Sequence, residues 1–550
     1  MRLHFTLGLL TVLLLVLTFR YTERHHYNFT KVQAQAERMA RQPFVPLPEA
    51  LPPQFRKLTP DEERGVFWND KYRLWKKKGL PFQVDFFPVS KEFSKAILIH
   101  TVDNRGEHVL PTSSEFFNYL NLTFTPPLPP EIGYAGFYIR YPINKPDSLD
   151  GFFSVLGSNY FRVIAKDQVY GVSARALAIN AGADGKTEEF PEFKEWWLHQ
   201  PAPGATSLVV DALLDSPSVT GAYGFKIMPG SVTSVDVHAS LYFRKTVDWI
   251  GLAPFSSMYL YGENASDHFN NFHPEIHDSD GVLVHTAKDD WLWRPLSQTK
   301  LYQIYKFNDE NPKGFGLLQR DREFQHYQDL EMKYNVRPSV WVTPRGNWGK
   351  GSVVLAHRPS NNVNFDNVVL FWHPDQVPQA GDRMELDYTI DFYMNDAQRP
   401  PLAYSRETWI INNPAPPAPP PVAPPIPSQK PAPPAPTPPP GQKPVAVVPP
   451  NVPKPGEPVP VMFMIDFVGN GIENIPADKK PYLYLHFDPA ETKLREFSLE
   501  KIGYDNSWRA TFTIIPFKHN VPTELHCRLL ESDKPGARPL SEEWNYTWHQ

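Results

Sequence analysis

Apolar and polar residues alternate along much of this chain. Val235, Val237, Ala239, Leu241 and Phe243 interleave with Ser234, Asp236, His238, Ser240 and Tyr242. Met384, Leu386, Tyr388, Ile390 and Phe392 interleave with Glu385, Asp387, Thr389, Asp391 and Tyr393. Successive side chains of a strand point to opposite faces, so each run predicts a strand with one buried face and one wet face. Turn-forming clusters separate the runs, as in Thr343-Pro344-Arg345-Gly346-Asn347 and Phe307-Asn308-Asp309-Glu310-Asn311-Pro312. Helical patterning is sparse and best over residues 31–40. The spacing predicts an all-β chain in which residues 43–410 form a large antiparallel β-sandwich.

Alternation returns over residues 461–550, as in Ala510-Thr511-Phe512-Thr513-Ile514-Ile515 and Leu525-His526-Cys527-Arg528-Leu529. Several short strands in about ninety residues predict a small immunoglobulin-like β-sandwich. Between the two lies a Pro-rich linker, residues 411–460, and 23 of the chain's 61 prolines fall between Pro414 and Pro460. Proline's fixed φ and missing donor favour polyproline II, so the segment reads as a semi-rigid spacer able to hold the domains as much as ~145 Å apart.

At the other end, Arg2 and Arg20 flank an apolar run from Phe5 to Phe19. A membrane span needs about 20 residues, whereas a signal h-region is this short. Residues 1–27 therefore read as a signal sequence or an N-terminal anchor. Ala34-Gln35-Ala36 has the small-x-small pattern of a cleavage site but lies far downstream. A cleaved signal and an inner-membrane tether through residues 5–19 both stay open; either implies export.

Composition narrows the classes. With 41% hydrophobic and 21% charged residues among 550, the chain has material for a sizeable core. A net charge of −5 supplies no global field toward nucleic acid. The lone Cys527 permits neither an intramolecular disulfide nor a Cys-rich metal site, and no cofactor is expected. Several motif-like strings fail. Gly182-Ala183-Asp184-Gly185-Lys186-Thr187 has two residues between its glycines where a phosphate loop has four. Ser173 lacks the second glycine of a nucleophile elbow. Pro274 denies His273 and His277 a shared helix for zinc, and Asp278-Ser279-Asp280-Gly281 lacks the distal Glu of a calcium loop.

What remains is a concentration of polar and aromatic residues between about 255 and 375. It includes Tyr261-Gly262-Glu263-Asn264, His277-Asp278-Ser279-Asp280-Gly281, Trp291-Leu292-Trp293-Arg294-Pro295, Gln319-Arg320-Asp321-Arg322, His326-Tyr327-Gln328-Asp329, Trp348-Gly349-Lys350 and Phe365-Asp366-Asn367. Such a mixture suits a carbohydrate cleft, where indole faces stack on sugar C–H surfaces and polar groups take up hydroxyls. Taken singly, each piece is more often core packing or a surface ion pair.

Several of these strings, with Tyr160-Phe161-Arg162-Val163-Ile164, Tyr170-Gly171-Val172-Ser173-Ala174-Arg175 and the stretch Ala212–Tyr223, resemble the periplasmic glucan biosynthesis proteins G and D of Gram-negative bacteria. The resemblance runs from about Pro43 to the C-terminus, interrupted by the proline segment. It implies a periplasmic location, a role in making osmoregulated glucans, and β-1,2-glucan as the ligand. Some relatives resemble inverting glycoside hydrolases. For this chain that implies Asp366 as general acid and Asp278 as base; Glu263, His277, Asp280, Trp293, Arg294, Arg320, Tyr327 and Trp348 are the candidates for holding substrate. No metal is implied. Thr343 and Asn347 depart from the family's usual Glu and Asp, and are expected beside the cleft. Three readings follow: a glucan hydrolase, a non-catalytic glucan-binding partner of a membrane glucosyltransferase, and a structural sandwich whose aromatic residues are only core.

Overall fold

The computed structural model describes residues 29–549, apart from 158, 266, 267, 270, 396–398, 413–458 and 518–520. The apolar run 5–19 and most of the proline segment lie outside them. Among the described residues no helix is long and apolar enough to cross a membrane.

The chain is all-β. A ten-stranded sheet and a fourteen-stranded sheet dominate it. The alternating runs lie where their period places them, in the central neighbours Val232–Phe243 and Arg383–Tyr393. Val235, Val237, Ala239 and Leu241 are fully buried, as is Phe392, and they join a core shared with Phe137, Val353, Leu355 and Trp372 of the opposing sheet.

A helix over residues 29–40 lies on the outer face of the larger sheet. Val32 and Ala36 pack against Trp197, Leu213, Ala222 and Tyr242, and Arg244 donates to the carbonyls of Met39 and Gln42. The sandwich thus begins before residue 43, because this helix covers apolar positions that would otherwise face water.

The C-terminal unit corrects the linker reading. Tyr404–Asn412, Val461–Val468, Trp508–Pro516 and Thr492–Lys501 form one four-stranded sheet in that order. Tyr482–His486, Thr523–Leu530 and Glu543–Trp548 run in order beside them. Numbered along the chain, the strands order as first-second-fifth-fourth and third-sixth-seventh, the order of a constant-type immunoglobulin sandwich. Its first strand precedes the proline segment. Asn412 is the ladder partner of Val461, so the segment leaves and re-enters the fold at one place. It connects two neighbouring strands and does not separate two bodies.

The two units are in direct contact. Glu543–Trp548 pairs in parallel with Trp291–Pro295, which makes the fourteen-stranded sheet continuous across the junction. Leu283, Trp293, Leu318, Trp341 and Tyr393 share a core with Phe463, Trp508 and Trp544. The ~145 Å separation allowed by an extended spacer is therefore not used. Replacing residues 413–458 by a short polar turn is expected to raise stability by about 1–2 kcal/mol, since each halving of a loop returns roughly 0.6 kcal/mol of closure entropy. Urea unfolding of the shortened chain measures this; a large loss of stability would restore the spacer reading.

Candidate functional site

Asp366 and Asp278, far apart in sequence, lie near enough for the Asp278 charge to act on Asp366. Asp278 follows the short strand Ile276–His277, and its amide donates to Met258 O at 2.8 Å. Asp366 precedes the strand Val368–Pro374, neighbour to Ile250–Ser257 in the ten-stranded sheet. Asn367 joins the two. Its side chain accepts from Tyr259 N at 2.9 Å and donates to Tyr259 O and Arg358 O at 2.8 and 2.9 Å. A fully hydrogen-bonded amide, 2% exposed, thereby ties the turn carrying Asp366 to the segment that also holds Asp278.

Cations surround the pair. Arg337 donates to Asp278 Oδ1 while its guanidinium stacks on Tyr334, 4.3 Å from the ring centre. Arg162, exposed at the rim, donates to Ser173 Oγ at 2.8 Å. Arg175 bonds Glu188 at 2.6 Å and lies over Tyr160. Burial raises the Asp366 carboxyl above its usual range and the nearby Asp278 adds to this, against the pull of Arg162, Arg175 and Ser173. Burial also raises Asp278, opposed by Arg337. The site thus holds two carboxyls that burial raises, Asp366 half-buried and Asp278 buried against Arg337.

The other substrate-binding candidates occupy different places. His277 is fully buried between Glu275 Oε2 at 2.8 Å and Asp280 Oδ1 at 3.4 Å on one nitrogen and Gln319 Oε1 at 3.0 Å on the other. Burial opposes its charge, yet Asp280, Glu275 and Glu263 outweigh burial and raise it to about 9. Asp280 is pushed up to about 6 by burial, with His277 opposing. Glu275, His277 and Asp280 have the spacing of a metal triad. A protonated imidazole, however, places its Nε2–H between those two carboxylates and offers no lone pair there. His268 stacks on Tyr261 and His273 faces Asp329, so each has a partner of its own.

Four candidates belong to the junction between the units. Arg320 makes a bidentate pair with the fully buried Glu542, lies 3.4 Å from the Trp293 ring centre, and donates to Ser405 O. Arg294 donates to Thr547 Oγ1 at 2.7 Å, and Glu263 accepts from Thr408 N at 2.8 Å. Burial holds the Glu263 carboxyl well above the ordinary range, with Glu275 and Asp280 adding to it. Trp293 is 2% exposed and part of the shared core. Tyr327 is fully buried and bonds Gln319 and Asp321 O.

Trp348 stands elsewhere. It precedes the strand Lys350–His357, whose far end pairs with Val368 beside Asp366, a separation of about 24 Å along the strand. It packs on Phe315 and Tyr388 and, with Asn347, edges a separate cavity of about 550 Å³. Asn347 is accordingly not beside the paired aspartates, and Thr343 lies four residues up its strand from Ser339. Neither departure touches the pair.

A family model described as periplasmic glucan biosynthesis protein, MdoG, matches residues 27–548. The chain belongs to this family. It is also 35% identical over 526 residues to a protein named glucans biosynthesis protein G from Sodalis glossinidius (strain morsitans), covering 94% of this chain and 92% of that one. The family's name carries a role in glucan biosynthesis and a periplasmic setting. Sequence reading missed Arg337, Arg175 and Asn367 as members of the site. Arg162, Ser173 and Arg175 lay within strings that carried the resemblance, which was the available signal. Arg337 stood in none.

Proposed function

We propose that the protein hydrolyses the β-1,2-glucan backbone with inversion, using Asp366 as general acid and Asp278 as general base. The reading rests above all on the pairing of Asp366, whose carboxyl burial and Asp278 push up, with a second carboxylate anchored by Arg337. Inversion needs one carboxylic acid to protonate the leaving oxygen and one base to activate water on the opposite face. Asp366 is half-buried at the rim beside the exposed Phe365, where a glycosidic oxygen can reach it. Asp278, 4% exposed, sits deeper and takes the proton of water entering from the cleft. On this reading the exposed Arg162 orients a sugar hydroxyl, whereas Arg175, 3% exposed and paired with Glu188, stays behind it.

Incubating the purified protein with linear β-1,2-glucan and following reducing ends tests the reading. Release of sugar with anomeric inversion supports it, and binding without release ends it. The second reading, a non-catalytic glucan-binding accessory to a membrane glucosyltransferase, draws on one observation: Asp278 is already engaged by Arg337, which lowers its basicity.

The same geometry sets a pH dependence. Asp278 must be ionised and Asp366 protonated, so activity falls at low pH as Asp278 gains its proton and at high pH as Asp366 loses its own. Arg337→Met removes the cation that opposes burial at Asp278. The acidic limb of kcat/KM is then expected to move to higher pH while the alkaline limb stays near its place. Equal movement of both limbs would contradict the assignment.

A further inference from the structure

A basic groove lies away from the paired aspartates, at the edge of the fourteen-stranded sheet opposite the C-terminal unit. Five of the eight residues Lys71–Lys78 are basic, in a chain whose net charge is −5. Lys71, Lys77 and Lys78 line a cavity of about 430 Å³ with Arg105, His108 and Val109. The last three come from the hairpin of Leu98–Asp103 and Gly106–Val109, which is the edge of the sheet. Lys76–Lys78 form a single 3₁₀ turn, fixed at its start by Trp75 at φ 66° and at its end by Gly79 at φ 60°. Trp75 is only 6% exposed, so its buried ring holds the three lysines at the surface.

Local carboxylates neutralise part of this face. Lys76 pairs with Asp70, and Arg73 with Asp70 and Asp85. Arg105 and His108 share Asp103. Lys78 donates to the neutral amide oxygen of Gln200, and Lys71 and Lys77 make no ion pair among the described residues. Val109 is 58% exposed in the midst of these cations.

Two features decide the kind of partner. Lysine is a hydrated point charge on a flexible stem, which suits a diffuse anionic surface better than one shaped anion. Clusters of four to eight Lys/Arg with apolar residues among them are the electrostatic footprint of anionic lipid binding. Beside the groove, Lys31 of the helix over residues 29–40 pairs with Glu107, in the same short strand as His108 and Val109.

We infer that this face, Lys71, Lys77, Lys78, Arg105, His108 and Val109, docks on an anionic lipid bilayer. The contact orients the molecule with its basic edge toward the membrane and its C-terminal unit away from it. Because each basic residue near an anionic surface contributes about fivefold to partitioning, reversing three of them has a large effect.

The test uses the full chain and vesicles of phosphatidylcholine alone or mixed with phosphatidylglycerol, read as the ratio of partitioning between the two. The ratio cancels any insertion of the apolar run common to both vesicles. Wild type is expected to favour the anionic vesicles strongly at low salt, with the preference shrinking as salt is added. Lys77→Glu/Lys78→Glu/Arg105→Glu is expected to lower the ratio on the order of a hundredfold. If that variant unfolds early, Lys71→Glu/Lys77→Glu, which breaks no ion pair, replaces it. A wild-type ratio near one, or an unchanged ratio in the variants, overturns the inference. So does stoichiometric binding of inorganic pyrophosphate by calorimetry without vesicle preference, which would assign the groove to a small phosphate ligand instead.

Discussion

Asp366→Asn is expected to bind linear β-1,2-glucan within a few-fold of wild type and to release reducing ends ~10²–10⁴ times more slowly, the span that positioned acid–base groups contribute. The amide preserves the size of the carboxyl and its contact with Ser173, but carries no proton to deliver to the departing sugar oxygen. Without that proton the departing oxygen would leave as an alkoxide, which is where the barrier rises. Burial and the neighbouring Asp278 both favour the protonated form of Asp366 in the folded protein. The substitution therefore removes the acid proton while keeping the shape of the group. Affinity measured by calorimetry and rate measured by reducing ends separate the two effects. An Asp366→Asn variant that hydrolyses at the wild-type rate would remove Asp366 from the mechanism.

Glu542→Gln is expected to destabilise the protein by about 3–5 kcal/mol, the cost of leaving a buried charge without its partner. Glu542 is fully buried and Arg320 only 6% exposed, and their two parallel hydrogen bonds, 2.6 and 2.8 Å long, span the junction of the units. Glu542 also accepts from Ser405 N at 2.9 Å at the start of the C-terminal unit's first strand. The loss reaches the end of the sandwich that holds Asp278 as well. The amides of Arg320 and Asp321 both donate to Asp280 Oδ2, and Asp280 lies two residues from Asp278. A lowered kcat should accompany the lowered stability. Urea unfolding and the hydrolysis assay check the two parts. Arg320→Met/Glu542→Leu removes both charges together and is expected to recover most of the lost stability. If the double substitution is as damaging as the single one, packing rather than charge governs this junction.

Much of this was legible from residues alone, for reasons that can be named. Period-2 alternation depends only on which face of a strand is buried, so Val232–Phe243 and Arg383–Tyr393 could be placed without any contact information. The pairing of Asp278 with Asp366 came from resemblance; no spacing rule connects two residues so far apart. The substrate-holding set fared differently. Trp293, Arg294, Arg320 and Glu263 have the composition of a sugar cleft, yet they face the C-terminal unit. An arginine stacked on indole and hydrogen-bonded to acceptors satisfies a domain junction by the same chemistry that satisfies a carbohydrate. Only burial by another part of the chain tells these cases apart.

The sequence by itself determined the strand content and the apolar N-terminal run, because alternation and hydrophobic length are properties of neighbours along the chain. The tertiary structure alone decided where the proline segment belongs. Asn412 and Val461 are ladder partners, and a ladder joins residues by hydrogen bonds across space without reference to their distance in sequence. It likewise decided which charges hold the units together, since the worth of a charge depends on the water and partners around it rather than on its neighbours in the chain.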